Sequence, residues 1–382
     1  MNRHALVLVF SNLRHDARVK RQIAFLKKDF QVTVVAFDGD PGLGVEFIRI
    51  SQTRLTLFRK ALLAAALLFR RFELAYRLFH DYGHLTKQLE TRSFDLVVAN
   101  DADTLPLAFN LARGARVLFD AHEYSPRHFE DKWWWRLFFQ PLYVHLCSTW
   151  IPRVSAMTTV GKGLAREYHN HFGHLPEVIT NAPVRSGLTP TPVVDGKIRL
   201  VHHGIANPSR RLDLMLDMMK HLDQRFTLDL ILLTSDFASP ATRKFIAAFK
   251  AEASTNPAIR VLPPLPSHEL VAAINHYDIG VFLLPPVNFN YENTLPNKFF
   301  EFIQAGLGIA IGPTPEMAAI VNANGLGVVA PDFTAEALAR QLNALTGQQV
   351  EVFKQAAAQT APNYCAEVNE EKFRAIIRTL FP

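Results

Sequence analysis

The sequence predicts an α/β protein built from two doubly wound, Rossmann-like domains, and three observations carry that prediction. Apolar runs of strand length recur along the whole chain, each followed by a segment with helical spacing. The alternation breaks once, in the proline-, glycine- and polar-rich stretch NAPVRSGLTPTPVVDGK at residues 181–197. A chain of 382 residues also exceeds what one hydrophobic core usually supports.

Taken in order, the first half offers ALVLVF, QVTVVAF, DLVVAN, RVLFDA and AMTTV as strands. The second half offers IRLVHHG, TLDLILLTS, IRVLPPL, DIGVFLLP, GIAIG and GVVAP. Strands alternating with helices imply parallel sheets covered by helices. The expected domains are residues 1–182 and 196–364. NEEKFRAIIRTLF has helical spacing beyond the last strand, so residues 366–382 are expected to complete the first domain.

Composition sets the class of partner. Apolar residues at 49% and charged residues at 20% describe a folded globular chain rather than a disordered one. Cys147 and Cys365 sit in unrelated contexts and match no metal spacing, which predicts two reduced thiols and a cytoplasmic setting. ALVLVF is too short for a signal-peptide core and runs straight into SNLRHDAR, so no targeting segment is expected. A formal charge of +6 and a pI near 9.3 favour an anionic partner. The basic residues are scattered and carry no zinc-finger, helix-turn-helix or RNA-binding signature, which leaves phosphate groups or an acidic membrane surface rather than nucleic acid.

In a doubly wound sheet, ligands bind beyond the carboxyl ends of the strands. That rule selects FSNLRHDAR (10–18), NDADT (100–104), DAHEYSP (120–126), HHGIANPSRR (202–211), LPPLP (262–266) and YENTLPNKFFEFIQAGLGIAIG (291–312). In the last, Thr294 or Leu295 is expected to cap a helix with Pro296 in its first turn and Gly306 just past its end. The backbone N–H groups at Asn297 and Lys298 would then favour an anion, phosphate above all. Asn297, Lys298, Glu301 and Gln304 share one face by spacing. Either that face is solvated, with a Lys298–Glu301 pair worth a few tenths of a kcal/mol, or it walls a site in which Glu301 accepts both hydroxyls of a ribose.

LPNKFFEFIQAGLGIAIG resembles the donor-binding signature of the retaining GT-B glycosyltransferases of family 4, in the branch with a PNK-FFE motif that works on bacterial surface polysaccharides. DARVKRQIAFLKKDFQVTVVAF is similar to their first helix and second strand, FDAHEYSP to their Asp-x-His-Glu segment, and HHGIANPSRRLDLML to the first strand, loop and helix of their donor domain. The resemblance implies a GT-B fold, two domains facing each other across a cleft, and a metal-independent hexosyltransferase. Its donor would be a nucleotide-diphosphate sugar, with no resident cofactor, and its acceptor a glycan or lipid-linked glycan. Carried over, Glu301 binds the ribose, the backbone at Asn297 and Lys298 holds the pyrophosphate, the loop 261–266 holds the base, and Gly204 belongs to the donor loop. Arg210 stands where the family usually has a basic residue against the pyrophosphate, and Arg211 occupies the usual glycine. Two cations opening a helix also oppose its dipole unless an anion lies between them. Many members carry a second carboxylate eight positions before the ribose-binding one. Here that position is Asn293, with Glu292 beside it, so either Glu292 substitutes or the chemistry proceeds without that charge.

His122, between Asp120 and Glu123, is placed by the resemblance near the donor sugar and acceptor; the alternative is a histidine bonded locally in a turn. His202 and His203, adjacent on a strand, point to opposite faces and so cannot chelate one ion. The DAD of residues 101–103 resembles a GT-A metal motif only superficially, and Asp103 or Thr104 reads better as a helix N-cap. The first loop lacks the dinucleotide glycine pattern, which argues against an NAD enzyme and leaves Arg14, His15, Asp16 and Arg18 for acceptor or phosphate contacts. LTLFRKALLAAALLFRRFELAYRLFH (55–80) is too short to span a bilayer. With KWWWRLFFQPLY (132–143) it reads either as inter-helix packing or as a surface lying on the inner face of a membrane. The rivals to a transferase are a non-catalytic nucleotide-sugar-binding partner subunit, suggested by Asn293, and a sugar-nucleotide epimerase of similar architecture.

Overall fold

The computed structural model describes residues 3–39, 42, 44–53, 55–234 and 238–382; the His15 side chain and Ser235, which closes the run TLDLILLTS, lie outside the described residues. The chain divides into two compact units. The first comprises residues 1–180, 288–290 and 370–382, and the second residues 181–287 and 291–369.

The first unit holds a seven-stranded sheet in the order β3-β2-β1-β4-β5-β6-β7. Its strands are β1 (Arg3–Leu8), β2 (Phe30–Ala36), β3 (Glu46–Arg49), β4 (Leu96–Asn100), β5 (Arg116–Ala121), β6 (Ala156–Thr159) and β7 (Glu177–Val178). The second unit holds a six-stranded sheet, β10-β9-β8-β11-β12-β13. Here the strands are β8 (Ile198–Ile205), β9 (Phe226–Leu233), β10 (Ile259–Leu262), β11 (Ile279–Phe282), β12 (Gly308–Ile311) and β13 (Gly327–Val329). Every pairing is parallel. The central strands are buried on both faces, as a parallel sheet sandwiched by helices requires. The predicted runs all supply strands. The two edge strands β3 and β7 escaped the sequence reading, because EFIR and EV are too short and too charged to stand out as apolar runs.

Each sheet winds outward in both directions from a central pair, β1/β4 in the first and β8/β11 in the second. These pairs are the topological switch points, where loops on adjacent strands diverge and leave a crevice at the carboxyl ends.

Residues 181–197 contain no helix or strand up to Lys197, yet they are tied down. The Ser186 N–H and Oγ–H donate to the side-chain and main-chain oxygens of Gln304, and Thr191 Oγ1 donates to the Asn275 carbonyl. The C-terminal helix Ala366–Leu380 presents Phe373, Ile376, Ile377 and Leu380 at helical spacing to the core beneath β1, β2 and β4. Arg374 pairs there with Asp29, and Lys28 with Glu370.

The helix that carries the candidate site, Asn297–Gln304, buries Phe299, Phe300, Phe302 and Ile303 completely. It can lie close because β11 offers Gly280 beneath it: a Cβ at residue 280 would fall inside the contact distance of the Phe302 ring. Gly280→Ala is therefore expected to overpack this contact and destabilise the chain by about 1–3 kcal/mol, read as a lower denaturant midpoint with an unchanged slope.

Candidate functional site

In the second unit the site grows from the switch point between β8 and β11. The chain leaves β11 and enters the site helix at Asn297, with Pro296 as the N-cap residue and no side chain capping the helix. This corrects the expectation that Thr294 or Leu295 would cap it. Proline has no side-chain acceptor to offer, so the first N–H groups keep their partial positive charge for a ligand. Gly306 does follow the helix end, at φ +66°.

Asn297, Lys298, Glu301 and Gln304 share one face by spacing, and that face is half-buried or buried rather than solvated. Lys298 and Gln304 are buried. Gln304 donates to the Ala361 and Tyr364 carbonyls while accepting from Ser186, a purely structural assignment. Lys298 lies over the Phe282 ring at 4.4 Å, and its Nζ stands 3.2 Å from His202 Nε2. His202 Nδ1 lies 2.8 Å from the Val281 carbonyl and must donate to it, so Nε2 is left as the acceptor for the Lys298 amine. Gly204, at φ +130°, borders the same group: a Cβ there would come within 3.2 Å of Lys298 Nζ. Glu301 is 13% exposed at its side chain, and its Oε2 lies 3.5 Å from His203 Nε2, which has no hydrogen-bond partner among the described residues.

Electrostatically this corner is short of negative charge. Burial, then the Arg210 guanidinium, pushes the Lys298 ammonium well below its ordinary range, against a weaker opposing pull from Glu301. Burial and then Lys298 drive His202 well down and His203 to about 3, so both imidazoles are neutral. The two arginines differ. Arg211 is exposed at φ +48°, a left-handed backbone that suits glycine, and its guanidinium is clamped by Asp213 at 2.7–3.1 Å. Arg210 ends the short 3₁₀ turn Pro208–Arg210, half-buried, with no ion pair among the described residues. Of the pair, Arg210 is the one available to an anion. Glu292 is exposed and Asn293 half-buried, both beside the start of the site helix in sequence. Residues 261–264 line a cavity of about 710 Å³ with the end of β9 and the last turn of the helix Pro240–Ala253.

The first unit has its own polar cluster at the β1/β4 switch point. Arg18 bridges Asp101 and Asp120 at 3.3 Å each, and those carboxylates hold it charged against burial. Gln22 and Thr158 also donate to Asp120, and Asn100 donates to Gln22. Asp101 sits at φ +64°, ψ 157°, a conformation that strains any residue but glycine, and accepts the His122 N–H. Burial and then Arg18 lower the His122 imidazole, which is therefore neutral at pH 7. Asp16 caps the helix Ala17–Leu26 and Arg14 is exposed, so neither repeats the role of Arg18. Thr104 does stand at the N-cap of the helix Leu105–Ala112, as the sequence predicts, though neither it nor Asp103 caps the helix with its side chain. Asp103 accepts from Tyr143 and faces His80, while Thr104 donates to the Asn100 and Asp101 carbonyls. No cluster of three metal-type ligands occurs among the described residues. Both cysteines are buried free thiols.

An unforeseen element completes this cluster. Asn290, in the short helix Phe289–Glu292 that follows β11, exchanges hydrogen bonds with the Tyr124 main chain, and the Phe289 N–H donates to Glu130. This fixes the DAHEYSP turn on which His122 rides. Nothing in the spacing of VNFNYEN announces it.

No protein-family profile matches the chain, and no curated protein matches it by sequence. Solved structures do. Trehalose-6-phosphate synthase from E. coli, bound with UDP-2-fluoro glucose, superposes at TM-score 0.72 with 11% identity over 99% of this chain and 98% of that one. Anabaena HepE in complex with UDP-glucose gives 0.70 at 14% identity over 99% of both. Sucrose-phosphate synthase from Thermosynechococcus elongatus gives 0.71 at 13%, again over 99% of both. The fold is that of the GT-B glycosyltransferases.

If an anion settles beside Lys298, its field must raise the lysine's depressed pKa, so binding is coupled to proton uptake and weakens as pH rises through the free-state value. Calorimetry with inorganic pyrophosphate in buffers of different ionisation enthalpy should show more proton uptake for the wild type than for Lys298→Met. The ligand's own titration is common to both and cancels.

Proposed function

We propose that the protein is a retaining glycosyltransferase that moves a sugar from a nucleotide diphosphate to an acceptor hydroxyl, in the assembly of a bacterial surface polysaccharide or glycolipid. The observation that carries this reading is the anion-deficient corner of the second unit: Lys298, Arg210 and an uncapped helix N-terminus, with Glu301 one turn along the same helix. A diphosphate supplies the missing charge, and a carboxylate at that distance along the helix suits the vicinal hydroxyls of a ribose. The comparison structures solved with UDP and UDP-sugars support a nucleotide of this kind and make UDP the first to test.

In this reading the bond between the anomeric carbon and the diphosphate oxygen breaks as the acceptor oxygen bonds to that carbon on the same face. The departing phosphate takes the acceptor's proton. Arg210, Lys298 and the N–H groups at Asn297 and Lys298 stabilise the charge that develops on the leaving group, the task a divalent cation performs elsewhere. Arg211, held by Asp213, orders the loop rather than touching phosphate. Gly204 leaves room for the Lys298 head. His122, neutral, orients a sugar hydroxyl from the first unit. Asn293 hydrogen-bonds the donor sugar, and Glu292 supplies the only nearby carboxylate in that segment that could answer positive charge at the anomeric carbon. The acceptor is glycan or lipid-linked, which would bring the enzyme to a membrane face.

Removing the Glu301 carboxylate should cost one or two charge-assisted hydrogen bonds, about 2–4 kcal/mol, or roughly a hundredfold in nucleotide affinity. Glu301→Ala is expected to lose that factor for UDP in calorimetry while melting like the wild type; undiminished affinity would sink the assignment. Incubation with radiolabelled UDP-sugars and glycolipid acceptors then reads the chemistry. Label in the acceptor supports transfer, an acceptor-free change in the donor indicates epimerisation, and binding with neither indicates a partner subunit, the reading Asn293 favours.

A further inference from the structure

The first unit carries an apolar surface that its own core does not use. Residues 55–80 form the helices Leu57–Leu68 and Phe72–Phe79, separated by a turn at Arg70, φ +57°. The first of these packs Leu63, Ala66 and Leu67 inward against Ala75, Leu142 and Leu146. The outward side of a soluble helix is normally polar. Here it repeats Leu57, Ala61, Ala64 and Leu68 at spacings of four, three and four, with Phe58 and Phe69 alongside. Leu57 is 86% exposed, Phe58 79% and Phe69 73%. The short helix Trp133–Phe138 extends the surface: Trp133, Trp134 and Leu137 are exposed, and an apolar groove between the two helices is lined by Ala64, Leu67, Phe138 and Phe139.

The charges bordering this surface bear on what covers it. Residues 55–72 hold Arg59, Lys60, Arg70 and Arg71, and residues 132–150 hold Lys132 and Arg136; Arg59 is paired with Asp81, and Glu73 and Asp131 flank the two segments, so Lys60, Arg70, Arg71, Lys132 and Arg136 leave the border net basic. A second copy docked face to face across a two-fold axis would set these cations against their equivalents. An acidic lipid surface would complement them, and tryptophan rings at the border of an apolar face suit the headgroup region of a bilayer. No helix among the described residues is long and apolar enough to cross a membrane, so the geometry is that of a helix lying in the interface.

We infer that the face formed by Leu57–Leu68 and Trp133–Phe138 docks on an anionic bilayer, burying Leu57, Phe58, Leu68, Phe69, Trp133 and Trp134 among the headgroups while Lys60, Arg70, Arg71 and Arg136 meet lipid phosphates. This deepens the proposed role at a membrane face and rests on that reading for its purpose, but the binding itself needs no transfer. The test uses the full chain without nucleotide, mixed with phosphatidylcholine vesicles with or without phosphatidylglycerol. Co-sedimentation with the anionic vesicles is expected, with a blue shift in tryptophan emission. Arg70→Gln combined with Arg71→Gln should weaken partition onto anionic vesicles roughly tenfold, and Leu57→Ser with Phe58→Ser by about tenfold or more. All four positions are exposed, and each variant should keep the wild-type melt and UDP affinity. Equal binding to neutral and anionic vesicles, no binding, or indifference to both variants overturns the inference. So does lipid-free self-association that the variants abolish, which would give the face to a second copy. UDP binding without vesicle binding sinks this inference and spares the transferase reading; vesicle binding without UDP binding does the reverse.

Discussion

The second unit is organised around the buried amine of Lys298, whose charged form burial and then Arg210 disfavour. Lys298 enters from the first turn of a helix whose own dipole is positive at that end, sits over an aromatic ring, and meets the lone pair of a neutral imidazole. Burying a charge in this way is unfavourable unless something compensates it, which is why the amine's pKa is held well below its ordinary range. The helix is nevertheless held in place by four large apolar side chains, a glycine-floored contact with β11 and the Gln304 hydrogen bonds at its far end. Packing thus holds a basic group where its charged form is disfavoured and where a nearby anion would favour it.

The two switch points make an instructive contrast. In the first unit, Arg18 is matched by two carboxylates, and those carboxylates are themselves satisfied by Gln22, Thr158 and the His122 N–H. That cluster is bonded within itself: it orders the turn carrying His122, whose imidazole burial and then Arg18 keep neutral against the pull of Asp101. In the second unit, Arg211 is paired with Asp213, whereas Arg210 makes no ion pair among the described residues and Lys298 feels only a weaker pull from Glu301. One architecture, used twice, therefore yields a rigid bracket in one place and an unfilled charge demand in the other. The strain at Asp101 belongs to the bracket, since its backbone conformation is what aims one carboxylate at both Arg18 and the His122 N–H.

Much of this was legible from residue order. Strand runs, the break after Thr180 and the helical spacing of the last residues are local properties of the chain, and periodicity reports them directly. Glu301 stood out because a lone carboxylate interrupts an apolar helix. What could not be read was burial. Lys298 and Gln304 share the Glu301 face, yet one meets His202 from a strand nearly a hundred residues earlier and the other meets carbonyls some sixty residues later. The choice between Arg210 and Arg211 also needed the backbone, because φ at residue 211 and the Asp213 clamp settle which side chain is occupied. The cap at Pro296 was misplaced by one or two residues for a related reason: proline's stiffness was read as favouring the first helical turn, whereas here it stands just outside, extended.

Chain order and spatial membership part company in this molecule. Residues 288–290 and 370–382 belong with the first unit although the sequence around them builds the second. A fragment ending at Thr180 would lose Phe373, Ile376, Ile377 and Leu380 from beneath its sheet, and Asn290 from the Tyr124 turn. Recombination between relatives within residues 181–197 would consequently pair each half with pieces shaped for another sequence. A stable chimaera would have to carry three separate segments together, which makes the two units co-inherited parts rather than interchangeable modules.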